Sequence, residues 1–367
     1  MFVLKFLLLP FAMLYDVVMN VRNRLYDLKF KPSTSFNIPV IGVGNLAVGG
    51  TGKTPMTEHL IRLLSPQFKV VTLSRGYGRR TKGFRIAGTD DDASTVGDEP
   101  YQIYRKFSPT INVAVGEERA LAIPTILQEL DETDVIIMDD AFQHRWVIPG
   151  LSILLTEHGR PFFNDDVLPY GRLREGPEGA NRADVIVVTK CPAHLGDEEM
   201  MSIEHGIRKY SLKPIFFSKI RYSEPVCFGD STKKFSSQVI LLTGIANSHV
   251  LEEYVKKHFI LVKHFSFRDH YVFKVSDLQD VEHLIQTKQR DKIGEISIVT
   301  TEKDKAKLDR DELKPYISRL PIFYLPIESE FLRNGKDFDA LIDSFMNSFN
   351  LPPDSHRDDR QVVNNQS

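Results

Sequence analysis

Short apolar runs alternate with amphipathic stretches along most of this chain. From residue 38, runs rich in β-branched residues fall at 40–43, 70–73, 111–115, 135–138, 153–155, 185–188 and 215–217. They are continuous rather than alternating, the pattern of parallel strands buried on both faces. The segments 56–64 and 119–130 between them are long enough for crossover helices. The rhythm restarts after about residue 225. Runs at 239–243, 260–264, 296–300 and 322–325 predict strands, and 276–289 and 338–349 predict helices. The pattern is that of an α/β protein, a doubly wound parallel-sheet domain over 36–225 and a second, smaller α/β domain over 226–349. Residues 350–367 are rich in Pro, Asp, Arg, Asn and Gln with few apolar anchors, and a disordered tail is expected there.

Residues 1–21 break the rhythm. They are almost entirely apolar, interrupted by Lys5, Pro10, Asp16 and Asn20. That is marginal for a spanning helix, and Asp16 is costly at bilayer depth. No small-x-small cleavage site follows, which argues against a secretory signal. Arg22, Arg24, Lys29 and Lys31 come next, against the single acid Asp27. An apolar helix trailed by cations suits shallow insertion into an anionic cytoplasmic leaflet. The alternative is a helix buried against the protein's own core. The segment 1–35 is treated as a unit of its own.

Composition narrows the function classes. Lys plus Arg number 47 against 49 Asp plus Glu, for a net charge of -2. That argues against nucleic acid as a partner bound by bulk electrostatics. Two cysteines, Cys191 and Cys227, cannot build a disulfide framework or a four-thiolate zinc site. A monomer is expected.

The strongest chemical signal runs from Ala47 to Thr54, AVGGTGKT, between a predicted strand and a predicted helix. In that context a glycine-rich turn is a phosphate loop. Backbone N–H groups across Gly49, Gly50, Thr51 and Gly52 surround phosphate oxygens, aided by the helix dipole. Lys53 reaches the β- and γ-phosphates, and the Thr54 hydroxyl binds Mg²⁺. Ala47 stands where the usual pattern has Gly. Asp139 and Asp140 end an apolar strand, where metal-side carboxylates of a Mg–nucleotide site belong. No complete guanine-reading motif occurs: Thr189-Lys190-Cys191-Pro192 lacks the Asp and Thr301–Asp304 has the wrong spacing. ATP is the expected nucleotide. The Glu302-Lys303-Asp304 cluster either borders the adenosine or caps a helix.

Two arginine-rich loops follow predicted strands, one with Arg75, Arg79 and Arg80, the other with Arg172, Arg174 and Glu175. Arginine suits bidentate phosphate binding, so both are candidate contacts for an anionic substrate or the transferring group. Asp98 and His270 are candidates for the base that accepts a hydroxyl proton. Asp98 equally suits a helix cap, and a His beside aromatics equally suits a structural role.

Taken together, these motifs resemble one family, the tetraacyldisaccharide 4′-kinases that phosphorylate lipid A precursors in Gram-negative bacteria. The resemblance rests on GNLAVGGTGKTP at 44–55, LSRGYGR at 73–79, GDEP at 97–100, DDAFQH at 139–144, LPYGRLRE at 168–175, FRDHYVF at 267–273 and TTEKD at 300–304. It implies Mg-ATP as phosphoryl donor and the 4′-hydroxyl of a tetraacylated disaccharide 1-phosphate as acceptor. It also implies work at the cytoplasmic face of the inner membrane. Carried over, Lys53 and Thr54 bind ATP and Mg²⁺, and Asp139 and Asp140 sit at the metal with Glu175 assisting. Asp98 is the base, paired with His270, and Arg172 and Arg174 contact phosphate or substrate. The chain departs from the family at Ala141, where Gly is usual, and carries one His in RDHYVF where two are common.

Overall fold

The structure is a computed structural model and describes residues 2–269, 271–290 and 294–349. The expected disordered tail lies outside the described residues. The first unit runs α1 (Phe2–Asp27), β1 (Val40–Asn45), α2 (Lys53–Leu64), β2 (Val70–Ser74), β3 (Arg85–Ile86), α3 (Ala93–Val96), α4 (Asp98–Phe107), β4 (Asn112–Val115), α5 (Arg119–Glu129), β5 (Val135–Asp139), β6 (Leu151–Glu157), β7 (Val185–Thr189), α6 (Asp197–Arg208) and β8 (Ile215–Tyr222). The second runs β9 (Val226–Cys227), β10 (Gln238–Thr243), α7 (His249–His258), β11 (Ile260–Ser266), α8 (Val275–Arg290), β12 (Ser297–Thr301), α9 (Glu302–Leu308), α10 (Lys314–Ile317) and β13 (Ile322–Leu325). The chain then returns to the first unit as β14 (Ile327–Phe331) and α11 (Gly335–Ser348).

The large sheet has nine strands in the order β14-β8-β7-β6-β1-β5-β2-β4-β3. Pairs from β8 to β4 are parallel, and β3 and β14 add antiparallel edges. The continuous apolar runs are explained by burial on both faces. Ile41, Val43, Ile137 and Ile153 pack with Leu60 and Leu64 of α2 and Phe338 and Ile342 of α11. Val40, Leu73, Ile136 and Met138 pack on the other face with Ile123 and Ile126 of α5. The smaller sheet, β11-β10-β12-β13-β9, is likewise covered on both sides, by α8 and by α7.

This topology corrects one expectation. The second unit does not extend to 349. Ile327 to Phe331 pairs with β8, and Phe338, Ile342 and Met346 complete the core of the first unit. The reason is physical: the eight strands from β1 to β8 leave the β8 edge and the α2 face uncovered until the C-terminal segment closes both. The signal was hard to read because 327–331, IESEF, alternates polar and apolar and is only half-buried, as an edge strand is.

Candidate functional site

Strand β1 lies between β5 and β6, the point where successive connections diverge to opposite sides, and ligands bind beyond the carboxyl ends of strands at such a point. The phosphate loop follows β1 directly. Gly49 and Gly52 have φ of 107° and 87°, left-handed values that glycine adopts without penalty. Ala47 bridges antiparallel to Leu173, and the Val48 N–H donates to the Arg172 carbonyl at 2.8 Å. The missing glycine is therefore absorbed by an extended stretch with negative φ. Thr189, at the end of β7, donates its hydroxyl to the Thr51 carbonyl at 2.7 Å, so the sequence Thr-Lys-Cys-Pro braces the loop rather than reading a base. Lys53 opens α2, with Thr54 half-buried in the same turn.

Asp139 and Asp140 end β5 beside β1. Lys53 Nζ is 3.5 Å from Asp140 Oδ1, and Arg174 Nη1 lies 3.0 and 2.9 Å from the two Asp140 oxygens. Burial opposes ionisation of Asp140, yet Lys53, Arg174 and Arg119 hold its carboxyl below the usual range. Asp139 goes the other way. Its complete burial, reinforced by the Glu99 carboxylate, raises it, with Lys53 opposing. Its Oδ1 is buried without a hydrogen-bond partner. An orphaned carboxylate oxygen beside a phosphate loop fits a hard cation that keeps most of its ligands as water and phosphate. No cluster of three or more acidic, His or Cys side chains forms a metal cage among the described residues.

Asp98 and Glu99 open α4, whose N-cap is Gly97 with no side-chain cap bond. Asp98 is thus not the cap. Glu99 accepts from Lys303 Nζ at 3.2 Å, and Lys303 also lies 3.6 Å from Asp269 Oδ1. The GDEP turn of the first unit therefore meets Lys303 of the second, which in turn reaches Asp269. His270 itself lies outside the described residues. Of the Glu-Lys-Asp cluster, Asp304 is a brace: it bonds Thr301, Lys307 and the Gly244 N–H. Lys303 is the residue that reaches across.

Three residues of the expected set carry bonds within the protein. Arg172 is tied to Asp165 at 3.0 Å, and Arg174 is committed to Asp140. Glu175 is 1% exposed, and its oxygens accept from Asn23, Gln143 and Arg182 at 2.6, 3.1 and 2.8 Å. It fastens α1 and the 141–145 turn to the site. Arg75 is exposed and makes no ion pair among the described residues. Sequence reasoning missed Arg119, 4% exposed at the start of α5, with Nη2 3.4 Å from the Asp139 carbonyl. Its place just beyond a strand's carboxyl end was the available signal. It also missed His144, which burial and the nearby Arg119, Arg22 and Arg75 push down to about 4.

A family model described as tetraacyldisaccharide-1-P 4′-kinase matches residues 4–347. The chain belongs to that family. A tetraacyldisaccharide 4′-kinase of Flavobacterium johnsoniae is 40% identical over 355 residues, 95% of this chain and 99% of the relative. One from Bacteroides fragilis is 41% identical over 346 residues, 90% of each. The crystal structure of LpxK from Aquifex aeolicus in complex with ATP matches with a TM-score of 0.71 at 28% identity, covering 94% of this chain and 99% of that one. The family's fold is thus the one described above: a large, mainly parallel sheet, a smaller α/β unit and a returning C-terminal segment.

Proposed function

We propose that this chain transfers the γ-phosphoryl group of ATP to the 4′-hydroxyl of a tetraacylated disaccharide 1-phosphate, a step of lipid A biosynthesis. The observation that carries the reading is the meeting of the phosphate loop, Lys53 and the Asp139–Asp140 pair with the Asp98 turn, closed over by Lys303 of the second unit. Lys53 and the loop amides hold the β- and γ-phosphates. Thr54, Asp139 and Asp140 would hold Mg²⁺, which supplies charge neutralisation on the phosphates. Asp98 takes the proton of the acceptor hydroxyl, with His270 orienting it. Arg75, which makes no ion pair among the described residues, is left to meet the acceptor's anionic end.

Helix α1 sets where this happens. One face is docked: Ala12 and Tyr26 are buried, and Tyr15, Arg22 and Asn23 bond to Arg174, Gln143 and Glu175. The other face exposes Phe11, Leu14, Val18 and Val21, and Leu28 just past its end is exposed as well. Among the described residues no helix is long and apolar enough to cross a membrane. We read α1 as lying on the cytoplasmic leaflet of the inner membrane, with the site beside the surface where an acylated acceptor resides, and the protein as a monomer. Transfer of labelled γ-phosphate to purified disaccharide 1-phosphate, compared with other lipid acceptors, tests the reading. ADP release independent of any acceptor would overturn it.

A further inference from the structure

A cavity of about 540 Å³ opens under the C-terminal turn of α1, separate from the phosphate loop. None of Lys53, Thr54, Asp98, Asp139 or Asp140 lines it. It runs from His144 towards Gly42, Ser152 and Asp184, the amino-terminal half of the sheet, away from the strand ends that hold nucleotide. Its floor is apolar, with Phe142, Val147, Ile148 and Pro149. Its rim is cationic. Lys29 and Lys31 are exposed and make no ion pair among the described residues. Arg145 pairs with Asp27 through Nη2, but its Nη1 is buried with no partner, as is His144 Nε2. Arg22, Lys31 and Arg145 all lie within 5.6 Å of the Tyr26 ring centroid.

Cations crowded round one ring, with Lys29 and Lys31 exposed beside it and without an ion pair among the described residues, call for an anion. An apolar floor beside a phosphate-sized charge deficit calls for an amphiphile rather than a free ion. The mouth adjoins Leu28 and Phe30, 57% and 77% exposed, where the outward stripe of α1 ends. We propose that this cavity binds the phosphate headgroup of an anionic phospholipid, with Lys29, Lys31 and Arg145 on the phosphate and the glycerol end against Phe142 and Ile148. The source of the ligand rests on the reading of α1 as a membrane-surface helix; the chemistry of the site does not. An occupied site would hold Tyr26 and Arg145 together, and so hold the end of α1 whose Arg22 and Asn23 brace the active-site turn.

The chain has a single tryptophan, Trp146, between the lining residues Arg145 and Val147, with its ring 6.2 Å from that of His144. Its fluorescence in the full-length protein is the readout. Dihexanoyl phosphatidylglycerol, kept below its micelle concentration, is expected to give a saturable change, and dihexanoyl phosphatidylcholine none. Lys29→Ala/Lys31→Ala should weaken binding at least about tenfold, with Lys29→Arg/Lys31→Arg restoring it. Ile148→Tyr, which fills the cavity without altering charge, should weaken it comparably, setting a built site apart from a diffuse basic surface. Wild-type affinity in either Lys29→Ala/Lys31→Ala or Ile148→Tyr would overturn the proposal. So would inorganic phosphate binding as tightly as the lipid, because the ligand would then be a free ion. Flotation on phosphatidylglycerol vesicles separates the two readings. Saturable short-chain binding without flotation sinks the membrane reading alone, and flotation without saturable binding sinks the headgroup site alone.

Discussion

At the residue scale, the site is built on charges shared among several neighbours, as Asp140 is between Lys53 and Arg174. Lys53 is the cation of the phosphate loop and sits 3.5 Å from Asp140. Lys53→Ala should lower turnover at least about a hundredfold, the cost of losing one preorganised transition-state contact. Near-normal turnover in the purified variant would remove the phosphate-loop mechanism. Asp98 and His270 are expected to act as a unit. Alanine at either should slow transfer with ATP binding retained, and the double variant should be little slower than Asp98→Ala alone. Multiplicative losses in single-turnover kinetics would show that His270 acts independently. His144 carries a stability signature. Its folded-state value near 4 lies below the ordinary 6.5. Between these values the unfolded chain binds more protons, so stability is full above the upper limit and is lost as pH falls through the window. After discounting for partial exposure the loss is about 1 kcal/mol. Thermal unfolding of His144→Gln should lack that share of the acid slope.

At the scale of elements, α1 is the test of how the fold meets a surface. Deleting residues 1–21 removes Tyr15 and the exposed Phe11, Leu14 and Val18, but leaves Arg22 and Asn23 on Gln143 and Glu175. The truncated protein should move from the membrane pellet to the soluble fraction and remain folded. Aggregation with loss of cooperative unfolding would instead mark the helix as part of the core. Salt should release the full chain only in part, because it screens the cations and not the apolar face. The parallel strands β1, β2 and β4 to β8 were legible because both-face burial writes itself as continuous apolar runs, and the phosphate loop because glycines suit its positive φ values; the short antiparallel edge β3 was not. What stayed hidden depended on partners distant in sequence. Nothing in residues 172–175 shows that Arg172 pairs with Asp165, Arg174 with Asp140 or Glu175 with Asn23. Edge strand β14 was lost for the same reason: its partner β8 precedes it by a whole intervening unit.

For the whole molecule, the two units must hold one orientation for Asp98 to face a residue borne by the other unit. Beside the Lys303 contact, Lys106 of α4 supplies the second pin. Its Nζ lies 2.7 Å from Glu58 on α2, which carries the phosphate loop at its start, and 2.7 Å from Glu302 on α9. Glu302 also accepts from the Ile327 N–H, where the chain re-enters the large sheet. Glu58 is 1% exposed, and burial raises it above the ordinary carboxylate range while Lys106 opposes the rise. Lys106→Met would leave Glu58 and Glu302 facing one another with only Arg62, 3.1 Å from Glu58, to answer the pair. Glu58 should then take up a proton more readily in the folded state than in the unfolded. The folded state binds the extra proton, so stability falls as pH rises through the raised value and recovers as pH drops back. Lys106→Met should therefore unfold below the wild type at pH 8, by up to about 3 kcal/mol, and converge on it towards pH 5. The same variant should bind ATP as the wild type does, since no phosphate-loop group is touched, yet transfer phosphate several-fold more slowly because the second unit is less well held. A uniform loss at every pH would mean that Lys106 contributes packing alone. Unchanged transfer would mean that the Lys303–Glu99 contact is enough to set the orientation.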